Sequence, residues 1–272
     1  MIWFILLLAL VAAFFLFLIF PAHASREARA PFERRNFAHR GLYSLDQSVP
    51  ENSLPAFRRA VEAGYGAELD VQLSRDGQVV VLHDDDLKRA CGRDGAVCDY
   101  TLEELRSFSL FGTEERIPLF SEVLDIFAGR QPLIVELKSA APNVPQLCDS
   151  VRRMLAEYDG PACVESFHPE VVRYFRLHDP SRLRGQLSQA ACFWKNHLPA
   201  WQAFLFSRLL LNFRARPHFI AYGIGPKPAP VRLCERLGAM RVCWTARDSA
   251  LHDRLASENE AVIFEGYRPP VS

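Results

Sequence analysis

The chain has no excess charge of either sign, its 32 Lys and Arg being matched by 32 Asp and Glu. Bulk electrostatic attraction to nucleic acid is therefore excluded as the basis of its function. It also has no Cys-x-x-Cys pair. The seven cysteines, at Cys91, Cys98, Cys148, Cys163, Cys192, Cys234 and Cys243, are odd in number and scattered. They read as reduced, small apolar residues rather than as a disulfide or zinc framework. Residues 2–20 lack any charged or strongly polar side chain, and no Lys or Arg precedes them.

That apolar run is about 28 Å long as a helix, enough to cross a bilayer. Ala22-His23-Ala24 before Ser25 has the form of a signal-peptidase site. The run is longer than a usual signal core, however, and has no basic flank before it, which favours an uncleaved anchor over residues 1–24. Arg26, Arg29, Arg34 and Arg35 follow the span, and the positive-inside rule then puts the rest of the chain on the cytoplasmic side. The expected organisation is a single-pass membrane protein: anchor 1–24, basic linker 25–35, and one domain over residues 36–272.

What the domain does have is alternation. Strand-like apolar runs lie at 36–39, 67–73, 133–138, 162–167, 183–187, 219–222, 241–245 and 261–264. Amphipathic stretches separate them at 54–63, 101–107, 121–127, 144–158, 169–177 and 229–237. Eight strands with intervening helices predict a parallel (β/α)8 barrel with its working groups at the C-terminal strand ends; a doubly wound open sheet is the alternative.

Asp76-Gly77, flanked by alternating apolar residues, predicts a two-residue hairpin turn. That register sets Asp70 opposite His83, with Glu68 on the same face. Glu68 and Asp70 are hard oxygen donors of the kind that hold Mg²⁺ or Ca²⁺, although alternating polar residues also mark an ordinary exposed strand face. Glu136, ending the apolar run 133–135, offers a third carboxylate, and Lys138 follows two residues later. Arg40 and Lys138 would complete a positive pocket for a phosphodiester. His39 and His83 would serve as general acid and base.

These residues resemble a known family, the glycerophosphodiester phosphodiesterases. The resemblance is carried by "AHRG", "PENSLPAF", "ELDVQLSRDGQVVVLHD", "VELK", "ESFHP" and "WT", in family order along most of the chain beyond the anchor. It implies a TIM barrel with one divalent cation that hydrolyses glycerophosphodiesters to an alcohol and glycerol 3-phosphate. It also implies His39 and His83 as the acid/base pair, Arg40 and Lys138 as phosphate contacts, and Glu68, Asp70 and Glu136 as metal ligands. Glu51, in the Pro-Glu-Asn motif, falls near the metal or beside its ligands, while Asn52 or Ser53 also suits a helix cap. Trp244 falls beside the glycerol end, or packs as a barrel Trp.

Two stretches depart from the family pattern. Ala246-Arg247-Asp248 stands where Asn-Asp usually follows Trp-Thr, and "AVIFEGYRP" replaces the closing Ile-Thr-Asp strand. Residues 192–216 are longer and more apolar than a connector needs. They read as an outer barrel helix or as an interfacial helix whose Arg208, Arg214 and Arg216 reach lipid headgroups. The expected substrate is a glycerophosphodiester. A lysophospholipase D-like activity on lysophospholipid at the membrane is the near rival, and a non-catalytic membrane-bound phosphate-binding module is the distant one. Nucleic acid is not an expected partner, and oligomeric state is left open.

Overall fold

The computed structural model describes residues 1–194 and 198–271. Strand β1 (Arg35–His39) pairs in parallel with β2 (Gly66–Leu73) on one side and with β9 (Ala261–Phe264) on the other. Strands β4 (Leu133–Leu137), β5 (Ala162–Ser166), β6 (Arg184–Ser188), β7 (Phe219–Gly223) and β8 (Met240–Ala246) complete a closed ring. The (β/α)8 barrel expected from the alternation is therefore present, each strand within a residue of its expected bounds. β3 (Val79–Val81) lies outside the ring, antiparallel to β2.

Helices α1 (Ile2–Ile19) and α2 (Arg26–Arg29) precede the barrel. Around it run α3 (Leu54–Glu62), α4 (Lys88–Cys91), α5 (Leu102–Ser107), α6 (Phe120–Phe127), α7 (Val144–Ala156), α8 (Pro169–His178), α9 (Ala200–Ser207), α10 (Asn212–Ala215), α11 (Ala229–Arg236) and α12 (Ser249–Glu258). Strand residues alternate between two apolar environments. Phe37, Ile134, Cys163, Leu187, Phe219 and Val242 fill the barrel interior, while Leu69, Val71, Val135 and Val164 meet the helices through Phe57, Phe120 and Phe175. Gly185 makes room inside: a Cβ there would lie 2.0 Å from the Phe219 ring. All seven cysteines are free.

The hairpin departs from its expected register. Leu73 pairs with Val79 and Val71 with Val81, so Asp70 lies opposite Leu82 rather than His83. The connection is a three-residue loop: Ser74 donates to and accepts from Gln78, and Gly77 takes φ 78°. A Ser74 hydroxyl bond to Asp76 at 2.6 Å favours this longer turn over the two-residue form. His83 follows the end of β3, where strict alternation no longer governs, and still comes back to the mouth.

Residues 25–35, expected as a linker, close the barrel floor. Ser25 caps α2 by accepting from Ala28, and Phe32 is buried against Phe37 with ring centroids 6.2 Å apart. Among the described residues α1 is the one helix long and apolar enough to cross a membrane, and almost all of it is exposed. Its base is docked: Ile19 is fully buried, Phe17 meets Phe213, and Arg216 donates to the Phe20 carbonyl at 2.7 Å.

The 192–216 segment is a broken path rather than one helix. A 3₁₀ turn (Ala191–Trp194) near the mouth is followed by α9 and then α10; residues 195–197 lie outside the described residues. Arg214 is engaged with Glu170, and Arg216 with α1. Of the three arginines expected to reach headgroups, two are thus committed to partners within the fold.

Candidate active site

The C-terminal ends of β9, β1, β2, β4 and β5 bring charged side chains into one half of the mouth. Parallel pairing sets His39 beside Glu68, Asp70 beside Glu136, and Glu136 beside Glu165. Oxygens of Glu68, Asp70 and Glu136 lie within 4.8 Å of one another, and all three residues are buried. Burial and mutual repulsion push Glu68 well above the ordinary carboxyl range, and burial with the nearby Asp70 raises Glu136. Burial acts on Asp70 too, but Lys138, His83 and Arg40 hold it well below that range. The expected metal ligands thus converge as a dense set of hard oxygen donors that a divalent cation would neutralise, which fits Mg²⁺ or Ca²⁺ chemistry.

Two cations stand over this cluster. Lys138 Nζ lies 2.8 Å from both Asp70 Oδ1 and Glu136 Oε1. Arg40 sits just after β1 with φ 55°, a left-handed turn that aims its backbone N–H at Glu68 Oε2, 3.1 Å away. Its side chain donates to Glu51 at 2.7 Å, while its buried Nε has no hydrogen-bond partner and lies 3.6 Å from Asp70. Asn52 and Ser53 divide the roles the sequence left open. Ser53 caps α3, and Asn52 donates to Asp70 Oδ2 at 2.8 Å. Glu51 bridges Arg40 and Arg89.

Each histidine is held by a carboxylate. His39 Nδ1 meets Glu265 Oε2 at 2.5 Å, leaving Nε2 toward the cluster, 3.9 Å from Glu68. Glu265 is also bound by Tyr43 and Arg247; burial opposes its ionisation, but His39 and Arg247 bring its pKa down to about 2. His83 Nδ1 meets Asp84 Oδ1 at 2.7 Å, and Arg89 clamps Asp84 at 2.6 Å. The repeated pattern of arginine, carboxylate and imidazole engages Nδ1 of both rings, an orientation that suits Nε2 to proton transfer. Burial keeps His39 below the usual imidazole range, with Glu265 opposing that shift.

The other half of the mouth is aromatic. Trp244 donates its indole N–H to the Ala221 carbonyl and packs edge-on against Phe167, which does the same against Trp194. Trp244 is thus packed in the barrel wall, as one of its two readings expects.

Several site residues escaped the sequence reading. Asp84 directly follows His83, and Glu265 directly follows β9 as Glu136 ends its own apolar run, so both carry a signal. Glu165 is buried in register with Glu136, its Oε2 without a partner, and burial plus Glu136 push it well above the carboxyl range. Arg89 and Arg247 reach the site from loops and helices at spacings that no periodicity marks.

The profile of the glycerophosphoryl diester phosphodiesterase family matches residues 39–264. A glycerophosphodiester phosphodiesterase from Caldanaerobacter subterraneus subsp. tengcongensis is 38% identical over 130 residues, 45% of this chain and 52% of that protein. A human lysophospholipase D is 32% identical over 137 residues, 46% of this chain and 42% of that protein. The chain thus spans about half the length of these curated relatives. Among solved structures, a Thermotoga maritima glycerophosphodiester phosphodiesterase superposes with a TM-score of 0.63 at 26% identity, covering 84% of this chain and 93% of that one. An Oleispira antarctica phosphodiesterase in complex with sn-glycerol-3-phosphate shares the fold, with a TM-score of 0.70 at 24% identity over 87% and 94% of the two chains. By this match across most of its length, the chain belongs to the glycerophosphoryl diester phosphodiesterase family.

Proposed function

We propose that this protein is a metal-dependent phosphodiesterase that hydrolyses glycerophosphodiesters, derived from membrane phospholipids, to an alcohol and glycerol 3-phosphate. The observation that carries the reading is the pairing of two carboxylate-held imidazoles with a three-carboxylate cluster under Arg40 and Lys138. Neither an acid/base pair nor a metal cluster is needed by a protein that only binds phosphate.

Glu68, Asp70 and Glu136 would hold the divalent cation, which supplies Lewis-acid charge to the phosphoryl oxygens. Arg40, freed from part of its contact with the carboxylates, and Lys138 bind the nonbridging oxygens and fix the phosphorus between the histidines. One Nε2 takes the proton of the attacking hydroxyl, and the other gives a proton to the departing alkoxide. Attack by the glycerol 2-hydroxyl through a cyclic phosphate and direct attack by water both fit this arrangement. Purified full chain with glycerophosphocholine should release glycerol 3-phosphate and lose that activity on chelation. No turnover with Mg²⁺, Ca²⁺ or Mn²⁺ would sink the proposal.

The aromatic half of the mouth favours a second substrate class, lysophospholipids, because Phe167, Trp194 and Trp244 offer a surface to an acyl-bearing glycerol. We also read α1 as an uncleaved anchor with the barrel on the cytoplasmic side. The segment a signal peptidase would have to open is docked: Ala22 donates to the Pro217 carbonyl at 2.9 Å, and His23 lies against Gly238.

A further inference from the structure

Helix α9 is built inside out for a water-facing barrel helix. The face it turns to the sheet is small, with Ala203 and Ser207 buried. The Ser207 carbonyl accepts from the Tyr222 hydroxyl, and the Phe206 carbonyl accepts from Ser188. The outward side, at i and i+3, carries Trp201 and Phe204, 63% and 48% exposed, and Phe193 in the preceding 3₁₀ turn is 59% exposed. Other outer helices such as α3 and α8 follow the ordinary pattern, with Phe57 or Phe175 inward and arginines outward.

The position of this face says what covers it. The segment that carries it begins at the mouth, where Trp194 packs on Phe167, and ends at α10, where Phe213 and Arg216 grip the base of α1. Only residues 208–211 separate α9 from α10, so a span that enters the bilayer beside α10 would keep α9 near the lipid surface. Arg208 stacks on the Phe204 ring at 4.0 Å and so carries a cation on that same face, suited to phosphate headgroups.

We propose that the Trp201–Phe204 face of α9 inserts into the headgroup region of the membrane that holds α1, laying the barrel on its flank with its mouth at the lipid surface. The proposal rests on the reading of α1 as an anchor and adds a docking surface to it. Its function is access: a lysophospholipid would pass from the bilayer along the aromatic side of the mouth without crossing bulk water.

The test uses the full chain in phosphatidylcholine nanodiscs, one chain per disc, with and without bromine near the glycerol end of the acyl chains. The fluorescence component lost in Trp201→Phe should be quenched by the brominated lipid and shielded from aqueous iodide. Trp201→Ser with Phe204→Ser should slow hydrolysis of disc-embedded lysophosphatidylcholine about tenfold, the scale set by burial of one large aromatic side chain. Its rate on soluble glycerophosphocholine should not change. A Trp201 component open to iodide and indifferent to bromine overturns the docking surface, as does shielding seen only with two chains per disc, which would mean that a second copy covers it. Failure of the chain to enter discs overturns the anchor and this proposal together. Loss of turnover on both substrates in the wild type counts against the phosphodiesterase reading, and the quenching result still decides the docking.

Discussion

Arg247 and Glu265 join the last two strand ends of the barrel: the guanidinium holds one carboxylate oxygen while the other takes His39 Nδ1 at 2.5 Å. They stand at the two places where the chain departs from its family's pattern, so the departures meet in space. An ion pair with an exposed arginine is weak by itself, but here the carboxylate is buried and shared with an imidazole. Its native pKa of about 2 lies below its ordinary value of 4.5. Such a group stabilises the fold above the unfolded pKa, and the contribution is lost as pH falls through the native one. Glu265→Gln should therefore cost roughly 3 kcal/mol at neutral pH. The gap between variant and wild type should narrow as pH drops from 4.5 toward 2. Denaturant titrations across that range would show it; a gap independent of pH would rule out the linkage.

Removing either imidazole should stop proton transfer without dismantling the cation cluster. His39→Ala and His83→Ala are each expected to lower kcat by roughly 10²- to 10⁴-fold. Metal affinity, followed by calorimetry, should stay close to wild type. Full activity in either variant would remove that histidine from the chemistry.

The carboxylate cluster makes a prediction opposite in sign to that of Glu265. Burial and mutual repulsion raise Glu68 and Glu136, so their contribution to stability is present at low pH and fades as pH rises through their native values. A bound divalent cation must displace those protons, so its affinity should tighten with pH and binding should release protons. Thermal shifts with added Ca²⁺ or Mg²⁺ should be larger at pH 7 than at pH 5. Glu136→Gln should weaken them, and excess metal should partly restore turnover; a pH-independent shift would exclude metal binding at this cluster.

Gly77 tests the hairpin register. Its φ of 78° is left-handed, and a Cβ there would meet nothing within 4 Å, so only backbone strain opposes a side chain. Gly77→Ala should cost about 1 kcal/mol with activity unchanged, read as a lower denaturation midpoint. A neutral or stabilising change would argue against the three-residue loop.

The barrel was legible because its strands are short apolar runs bounded by charge, and burial on both faces leaves such runs no other place. Glu136 and Lys138 were legible for the same reason: a charge ending a buried strand sits where the mouth is. Asp70 and His83 do not pair in the register that a two-residue turn predicts: His83 lies past the end of β3 and is held by its neighbour Asp84. Glu265 obeys the strand-end rule, but it lies in a run that departs from the family pattern, which masks it. Arg89 and Arg247 could not have been found by periodicity, because a long flexible arginine reaches a carboxylate from many backbone positions. The inverted face of α9 was hidden by composition: its aromatics suit a core as well as a membrane until the side they face is known.

His39 and Glu265 are 226 residues apart in the chain. β1 and β9 are neighbours in the ring, so this pair forms only when the last strand docks against the first. A nascent or truncated chain lacking β9 would hold the three-carboxylate cluster and both histidines yet leave His39 unsupported. The support of His39 is thereby tied to completion of the fold, so that a partly made chain holds this imidazole without its carboxylate.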